Sequence, residues 1–178
     1  MLADETYLRS DPRVQQVFHE IETELGFGMV PNIFMSMAEN PATLAAHWAM
    51  FKHTILNGEL TRVAKEMVGV VVSTVNQSEY AQKVHMHSLG VQGVSDAVIA
   101  VLGSGETASA DLPYAVQMML AFAKRAATDR FAIGPADFAE LEAAGFSKAE
   151  VLELVGAVDL FQAVNSYTDL MRVPVDAL

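Results

Sequence analysis

The chain has 178 residues, a formal net charge of −11 and no cysteine. The acidic balance repels phosphate backbones and excludes nucleic acid as a partner, and the missing thiols exclude disulfides, thiol catalysis and cysteine-ligated metals. The N-terminal residues lack a leader pattern, and the longest apolar stretch, Met67 to Val72, is too short to cross a bilayer. We therefore expect a cytoplasmic protein with no membrane partner, folded as one domain over residues 1–178.

Predicted helices begin wherever a capping residue precedes a proline or an apolar run of helical spacing. In chain order these starts are Asp11, Asn40, Thr61, Ser78, Ser95, Pro113, Pro135 and Ser147. The first two helices extend to about Leu25 and Leu56, and the final one runs toward Met171. The valine-rich stretch from Val68 to Val75 is assigned to a helix, because no alternating partner segment lies near it. The sequence predicts an all-α fold of about seven to nine helices.

One central segment is the most informative part of the sequence. It holds in fixed order Glu66, Asn76, Ser78, Tyr80, Ala81 and His85. This segment resembles the AhpD-like alkylhydroperoxidase and carboxymuconolactone decarboxylase superfamily, and most closely its peroxidase-related branch. The superfamily signature has a glutamate followed by Asn-x-Cys-x-Tyr-Cys-x-x-x-His. Ser78 and Ala81 occupy the two cysteine positions of that signature.

The resemblance extends over nearly the whole chain. Further segments that match in place are Gly28–Phe34, Asn40-Pro41, Ala121–Lys124, Leu141–Ser147 and Phe161–Asn165. The resemblance implies the AhpD-like helical domain and a homo-oligomer, because this fold is usually found in assemblies from dimers to hexamers.

The two substitutions remove the chemistry that the family signature implies. In the family, a thiolate near a helix N-terminus attacks peroxide, and the second cysteine resolves the sulfenic acid to a disulfide. A serine hydroxyl is far less acidic and does not pass through a sulfenic acid. The sequence therefore predicts no thiol peroxidase turnover for this chain.

Glu66 and His85 are the part of the signature that remains. The resemblance implies that the two side chains meet across consecutive helices. A carboxylate beside a histidine orients the imidazole and supports its charged form, which is an acid–base unit. The alternative is a buried polar pair that satisfies itself and has a structural role only.

Two further side chains of the segment are candidate site residues. Ser78 suggests a Ser–His–Glu triad, but on one helix Ser78 and His85 would lie about 10 Å apart along the axis. The alternative for Ser78 is a helix cap. Tyr80 is a candidate hydrogen-bond donor to a ligand, and the alternative is a packed aromatic side chain.

No metal site or cofactor is expected from the histidine spacing. His85 and His87 point to nearly opposite sides of a helix, and His47 and His53 are also poorly matched for a shared ion.

The sequence leaves two classes of function open. The first is an enzyme that uses Glu66 and His85 as acid and base on a small organic substrate. The decarboxylase branch of the same superfamily works without the cysteine pair and is a precedent. The second is a non-catalytic homologue that binds a ligand or serves as a scaffold. A third origin, an alkylhydroperoxidase in which serine and alanine were introduced by design, is also compatible with the sequence.

The chain is predicted to self-associate, because 52% of its residues are hydrophobic and only 19% are charged. Light scattering at micromolar concentration should therefore give at least the mass of a dimer. A clean monomer near 19.2 kDa would contradict the prediction.

Overall fold

The computed structural model describes residues 10–109 and 111–178. This part of the chain contains nine α-helices and no strand. In chain order they are α1 (Pro12–Glu24), α2 (Asn32–Met37), α3 (Pro41–Phe51), α4 (Arg62–Asn76), α5 (Glu79–Val91), α6 (Asp96–Gly103), α7 (Tyr114–Thr128), α8 (Pro135–Ala143) and α9 (Lys148–Met171). The all-α prediction is confirmed, and the valine-rich stretch lies inside α4. Residues 1–9, on which the expectation about a leader segment rests, lie outside the described part.

Side-chain caps explain why the helices begin where the sequence predicts. Asp11, Asn40, Thr61 and Ser95 each accept a hydrogen bond from a backbone N–H in the first turn of the following helix. Ser147 and Glu150 form the predicted capping box at the start of α9, with each side chain bonded to the backbone of the other residue. These caps satisfy N–H groups that have no partner within the helix.

Two features of the observed helices differ from the prediction. The helix α2 was not predicted, and its first residues are held by the C-terminal tail: the Asn32 N–H donates to the Asp176 carboxylate at 2.7 Å. The helix that begins at Pro41 ends at Phe51 and continues as a π-helical turn, Lys52–Leu56. The contact that holds α2 joins distant parts of the chain, so local sequence does not reveal it.

The helix α4 lies at the centre of the molecule, with every residue from Lys65 to Ser73 buried. It packs against α5, α7 and α9 in one large apolar cluster. A second cluster joins α1, α2 and α3 to the first turn of α5. Glu66 and His85 therefore lie where the two apolar clusters approach each other. Among the described helices, none combines the length and apolar character that a transmembrane span requires.

An ion pair between a buried lysine and a partly exposed glutamate anchors the start of α4. Lys65 is 1% exposed, and its ammonium group lies 2.9 Å from the Glu153 carboxylate on α9. The same carboxylate accepts the backbone N–H groups of Glu59 and Leu60 at 2.7 and 3.1 Å. Gly58 has a φ of +112°, and a Cβ atom there would lie about 2.4 Å from this carboxylate. Position 58 in the loop before α4 thus requires glycine, because its φ is positive and because a side chain would collide with the Glu153 carboxylate.

Gly58→Ala should destabilise the fold by about 2 kcal/mol more than Gly93→Ala, because it also displaces the Glu153 carboxylate from its backbone donors. Gly93 is a matched control, since its φ is +82° and no atom lies within 4 Å of an added Cβ. Urea denaturation of both variants measures the difference. Equal losses of unfolding free energy would show that the Glu153 contacts do not constrain this loop.

Candidate active site

The predicted contact between Glu66 and His85 is present in the structure. The distance between His85 Nδ1 and Glu66 Oε2 is 2.6 Å, and the two side chains are 5% and 2% exposed. An ionised carboxylate only accepts hydrogen bonds, so Nδ1 carries the proton of this bond. The Nε2 atom of His85 has no hydrogen-bond partner among the described residues. His85 therefore has one nitrogen fixed by Glu66 and one without a hydrogen-bond partner among the described residues.

A glycine allows the helices α4 and α5 to approach closely enough for this contact. Gly69 lies one turn after Glu66, and a Cβ atom there would fall 2.8–2.9 Å from the His85 ring. The imidazole also contacts Phe161 of α9, with ring centroids 4.5 Å apart and an angle of 76° between the ring planes. The ring is consequently held between the backbone of α4 and an aromatic side chain of α9, with its orientation set by Glu66.

Glu66 remains ionised although it is buried. Burial by itself raises the pKa of this carboxyl, but the hydrogen bond and charge of His85 oppose it, with smaller contributions from Ser88 and Arg62. The net result is a pKa below the ordinary value of a glutamate. Arg62 Nε lies 3.3 Å from Glu66 Oε1. Because the folded pKa is lowered, the stabilisation from this carboxylate is present above the ordinary glutamate pKa and is lost as pH falls through the folded value.

The pair forms part of the wall of an apolar cavity between α2, α3, α5 and α9. The cavity has a volume of about 40 Å³. Most of the remaining wall is hydrophobic: Leu25, Phe27, Pro31, Ile33, Phe34, Met37, Phe51, Ala81, Val84, Leu160 and Val164. The wall is lined mainly by apolar side chains with few polar groups, which is typical of sites for small organic ligands.

The two residues in the cysteine positions have different surroundings. Ala81 is 1% exposed and lines the cavity together with Glu66 and His85. Ser78 occupies the cap position of α5, but its hydroxyl makes no capping hydrogen bond. The hydroxyl donates instead to the Asp169 carboxylate of α9 at 2.9 Å. The expectation that the Ser78 side chain caps the helix is therefore wrong, because a carboxylate acceptor from another helix takes its proton.

The Tyr80 side chain lines the cavity, but its hydroxyl is engaged within the protein. It donates to Asp176 at 2.7 Å and accepts the Ile33 N–H at 3.1 Å. Burial, together with the Asp176 charge and hydrogen bond, raises the pKa of this phenol above its ordinary value. Tyr80 therefore remains neutral and ties the C-terminal tail to α2 and α5.

His47 also lines the cavity, which the sequence analysis did not anticipate. In the sequence, His47 was considered only together with His53, as ligands of one metal ion. His53 lies instead in a separate surface groove beside Arg13 and Lys52. No group of three or more potential metal-ligating side chains occurs within residues 10–109 and 111–178. His47 shares the cavity wall with His85 of α5, and no local pattern in the sequence indicates this arrangement.

The different surroundings of positions 78 and 81 predict different thiol reactivities. Ala81→Cys should form a sulfenic acid with hydrogen peroxide roughly tenfold faster than Ser78→Cys, because His85 favours a thiolate at 81 and Asp169 opposes one at 78. Mass spectrometry of the dimedone adduct measures both rates, and circular dichroism verifies folding. Equal rates, or a faster Ser78→Cys, would contradict this assignment of the two positions.

Comparison with known proteins agrees with this arrangement. The sequence profile of the carboxymuconolactone decarboxylase family matches residues 41–124, which include Glu66 and His85. An alkyl hydroperoxide reductase of Mycobacterium tuberculosis is 28% identical over 103 residues. The match covers 58% of this chain and 29% of that protein, so the chain spans less than a third of the relative's length.

Solved structures share the fold over nearly the whole chain. A peroxidase-related protein from Silicibacter sp. TM1040 has 24% identity and a TM-score of 0.87, covering 98% of this chain and 88% of its own. An AhpD-core protein from Ralstonia eutropha JMP134 has 23% identity and a TM-score of 0.86, with coverages of 99% and 91%. A cysteine-to-alanine variant of the debrominase Bmp8, in complex with 2,3,4-tribromopyrrole, has 20% identity and a TM-score of 0.83, with coverages of 99% and 90%.

Residues 41–124 are thus similar to the carboxymuconolactone decarboxylase family, and the chain shares the helical fold of AhpD-core and peroxidase-related proteins. The sequence contains no cysteine.

Proposed function

We propose that this protein is a cysteine-independent acid–base enzyme that acts on a small, largely apolar organic molecule. The observation that carries the proposal is the 2.6 Å contact between Glu66 and His85 at the wall of an apolar cavity. His85 would exchange a proton with the substrate through Nε2. Glu66 would hold the ring in place and support the imidazolium that forms.

The surroundings of the pair favour proton transfer over nucleophilic attack. The Ser78 hydroxyl donates to Asp169 and the Tyr80 hydroxyl donates to Asp176, so neither is bonded to His85. A hydroxyl nucleophile would need the imidazole as its base within hydrogen-bond reach. The proposal therefore assigns the chemistry to His85 and Glu66 and gives Ser78 and Tyr80 roles in holding the helices together.

The reaction class consistent with these groups is the removal and return of a proton beside a carbonyl group. His85 Nε2 would take a proton from carbon or return it, and the apolar wall would exclude water from the anion that forms. No electron transfer is required, so the absence of thiols is no obstacle. Bmp8, which has the same fold, binds a small ring compound, and this supports a ligand of similar size here.

The low exposure of the pair favours a second candidate function. Glu66 and His85 are both nearly closed to solvent, as expected for a structural pair in a protein that binds a ligand without transforming it. Breaking such a buried pair would leave an uncompensated charge and cost about 3–5 kcal/mol. Retention of the pair is thus compatible with either function, and a kinetic measurement is needed to separate them.

Exchange of carbon-bound hydrogen in heavy water tests the enzymatic proposal. The probes are cyclohexanone, 2-cyclohexenone and δ-valerolactone, and proton NMR follows the loss of the signal beside the carbonyl group. The wild-type protein should accelerate exchange of at least one probe. His85→Gln should lower that rate about 10²-fold or more, and Glu66→Gln should lower it by a smaller factor, because the ring stays in place.

His19→Gln is the matched control, since His19 is exposed on α1, outside the cavity. Its exchange rate should equal that of the wild-type protein. If wild type and His85→Gln exchange every probe at the same rate, the acid–base proposal fails and the non-catalytic function is favoured.

A further inference from the structure

A second imidazole faces the ligand cavity from the opposite helix. His47 on α3 is half-buried and belongs to the cavity wall, as does His85 on α5. The family signature contains no counterpart of His47, so this residue enters the site through the fold alone.

The His47 ring is fixed at one nitrogen and free at the other. Nδ1 lies 2.9 Å from the backbone carbonyl oxygen of Thr43. A carbonyl oxygen only accepts, so Nδ1 carries the proton of this bond, and in the neutral ring Nε2 has the lone pair. The ring also lies against Tyr167 of α9, with centroids 5.9 Å apart. Among the described residues, Nε2 of His47 has no hydrogen-bond partner.

The other polar groups of the wall are already engaged. The Tyr80 hydroxyl makes one hydrogen bond as a donor and one as an acceptor. Glu66 is bonded to His85 and Arg62. The remaining wall is apolar, so the two Nε2 atoms are the side-chain nitrogens left for a ligand. Each Nε2 atom accepts a hydrogen bond when its ring is neutral. A ligand that pairs with both atoms therefore needs two donor groups.

We propose that His47 is a second ligand-binding residue, and that the cavity takes a small flat ring with two hydroxyl or N–H donors, one for His85 and one for His47. The proposal rests on the proposed function, because it uses the same cavity and the same His85 nitrogen. Dihydroxybenzenes are the simplest probes of this class. The narrow cavity and its apolar wall exclude a larger or more polar ring.

Variants at position 47 separate ligand binding from a structural role. His47→Asn keeps an amide near the Nδ1 position, where it can still donate to the Thr43 carbonyl, but it lacks the outer nitrogen. His47→Gln places its amide near the Nε2 position. A merely structural histidine would be replaced best by asparagine, whereas a ligand-binding Nε2 would be replaced best by glutamine.

Calorimetric titration of the full chain with phenol, resorcinol and hydroquinone under argon tests the proposal. At least one diol should bind the wild type about fivefold or more tightly than phenol, which offers a single donor. His47→Asn should remove this advantage and leave phenol binding within twofold of wild type. His47→Gln should restore part of the advantage, with thermal unfolding confirming that both variants are folded.

The result that overturns the inference is a diol advantage that persists in His47→Asn, or one that never appears in the wild type. If phenol then still binds and loses affinity in His85→Gln, the role of His85 in the proposed function is retained while the role of His47 is rejected. Failure of all three probes to bind rejects this ligand class, and the exchange experiment then decides the proposed function independently.

Discussion

The site depends on the close packing of α4 on α5 at Gly69. Because this residue has no side chain, the His85 ring can lie against the α4 backbone, where the Glu66 carboxylate reaches its Nδ1 atom at 2.6 Å. A larger residue would separate the helices or turn the ring away. The carboxylate would then be buried without its principal partner, which is among the costliest changes a protein interior can undergo. The helix contact and the hydrogen bond between Glu66 and His85 therefore stabilise each other.

Polar groups around the cavity divide into those bonded within the protein and those left open. Asp176 of the C-terminal tail binds both the Tyr80 hydroxyl and the Asn32 N–H, so one carboxylate fixes the start of α2 and the side of α5. Asp169 of α9 accepts a hydrogen bond from the Ser78 hydroxyl and so connects α9 to the start of α5. Among the described residues of the cavity wall, His85 and His47 each retain one ring nitrogen without a hydrogen-bond partner. The chemical character of the cavity follows from that division.

The absence of cysteine changes the chemistry of the site without changing its architecture. Ala81 fills the wall position beside His85, where a thiol would otherwise lie, and it adds neither charge nor polarity. The Glu–His pair has a structural reason to persist, because either residue alone would be buried without compensation. The open Nε2 atom and the adjoining cavity are the features that a purely structural pair would not require.

The sequence by itself determined the helices, the register of the signature and the loss of thiol chemistry. Helix starts were predictable because the side chains of capping residues such as Asp11, Asn40 and Ser147 accept hydrogen bonds from backbone N–H groups within the next turn. Only the tertiary structure decided the short helix α2, the partner of Ser78 and the place of His47 in the cavity. Each of these depends on contacts between residues far apart in the chain, and such contacts arise from the packing of whole helices. Local propensity carries no record of that packing, so the sequence identified the Glu66–His85 pair but not the second imidazole in the cavity wall.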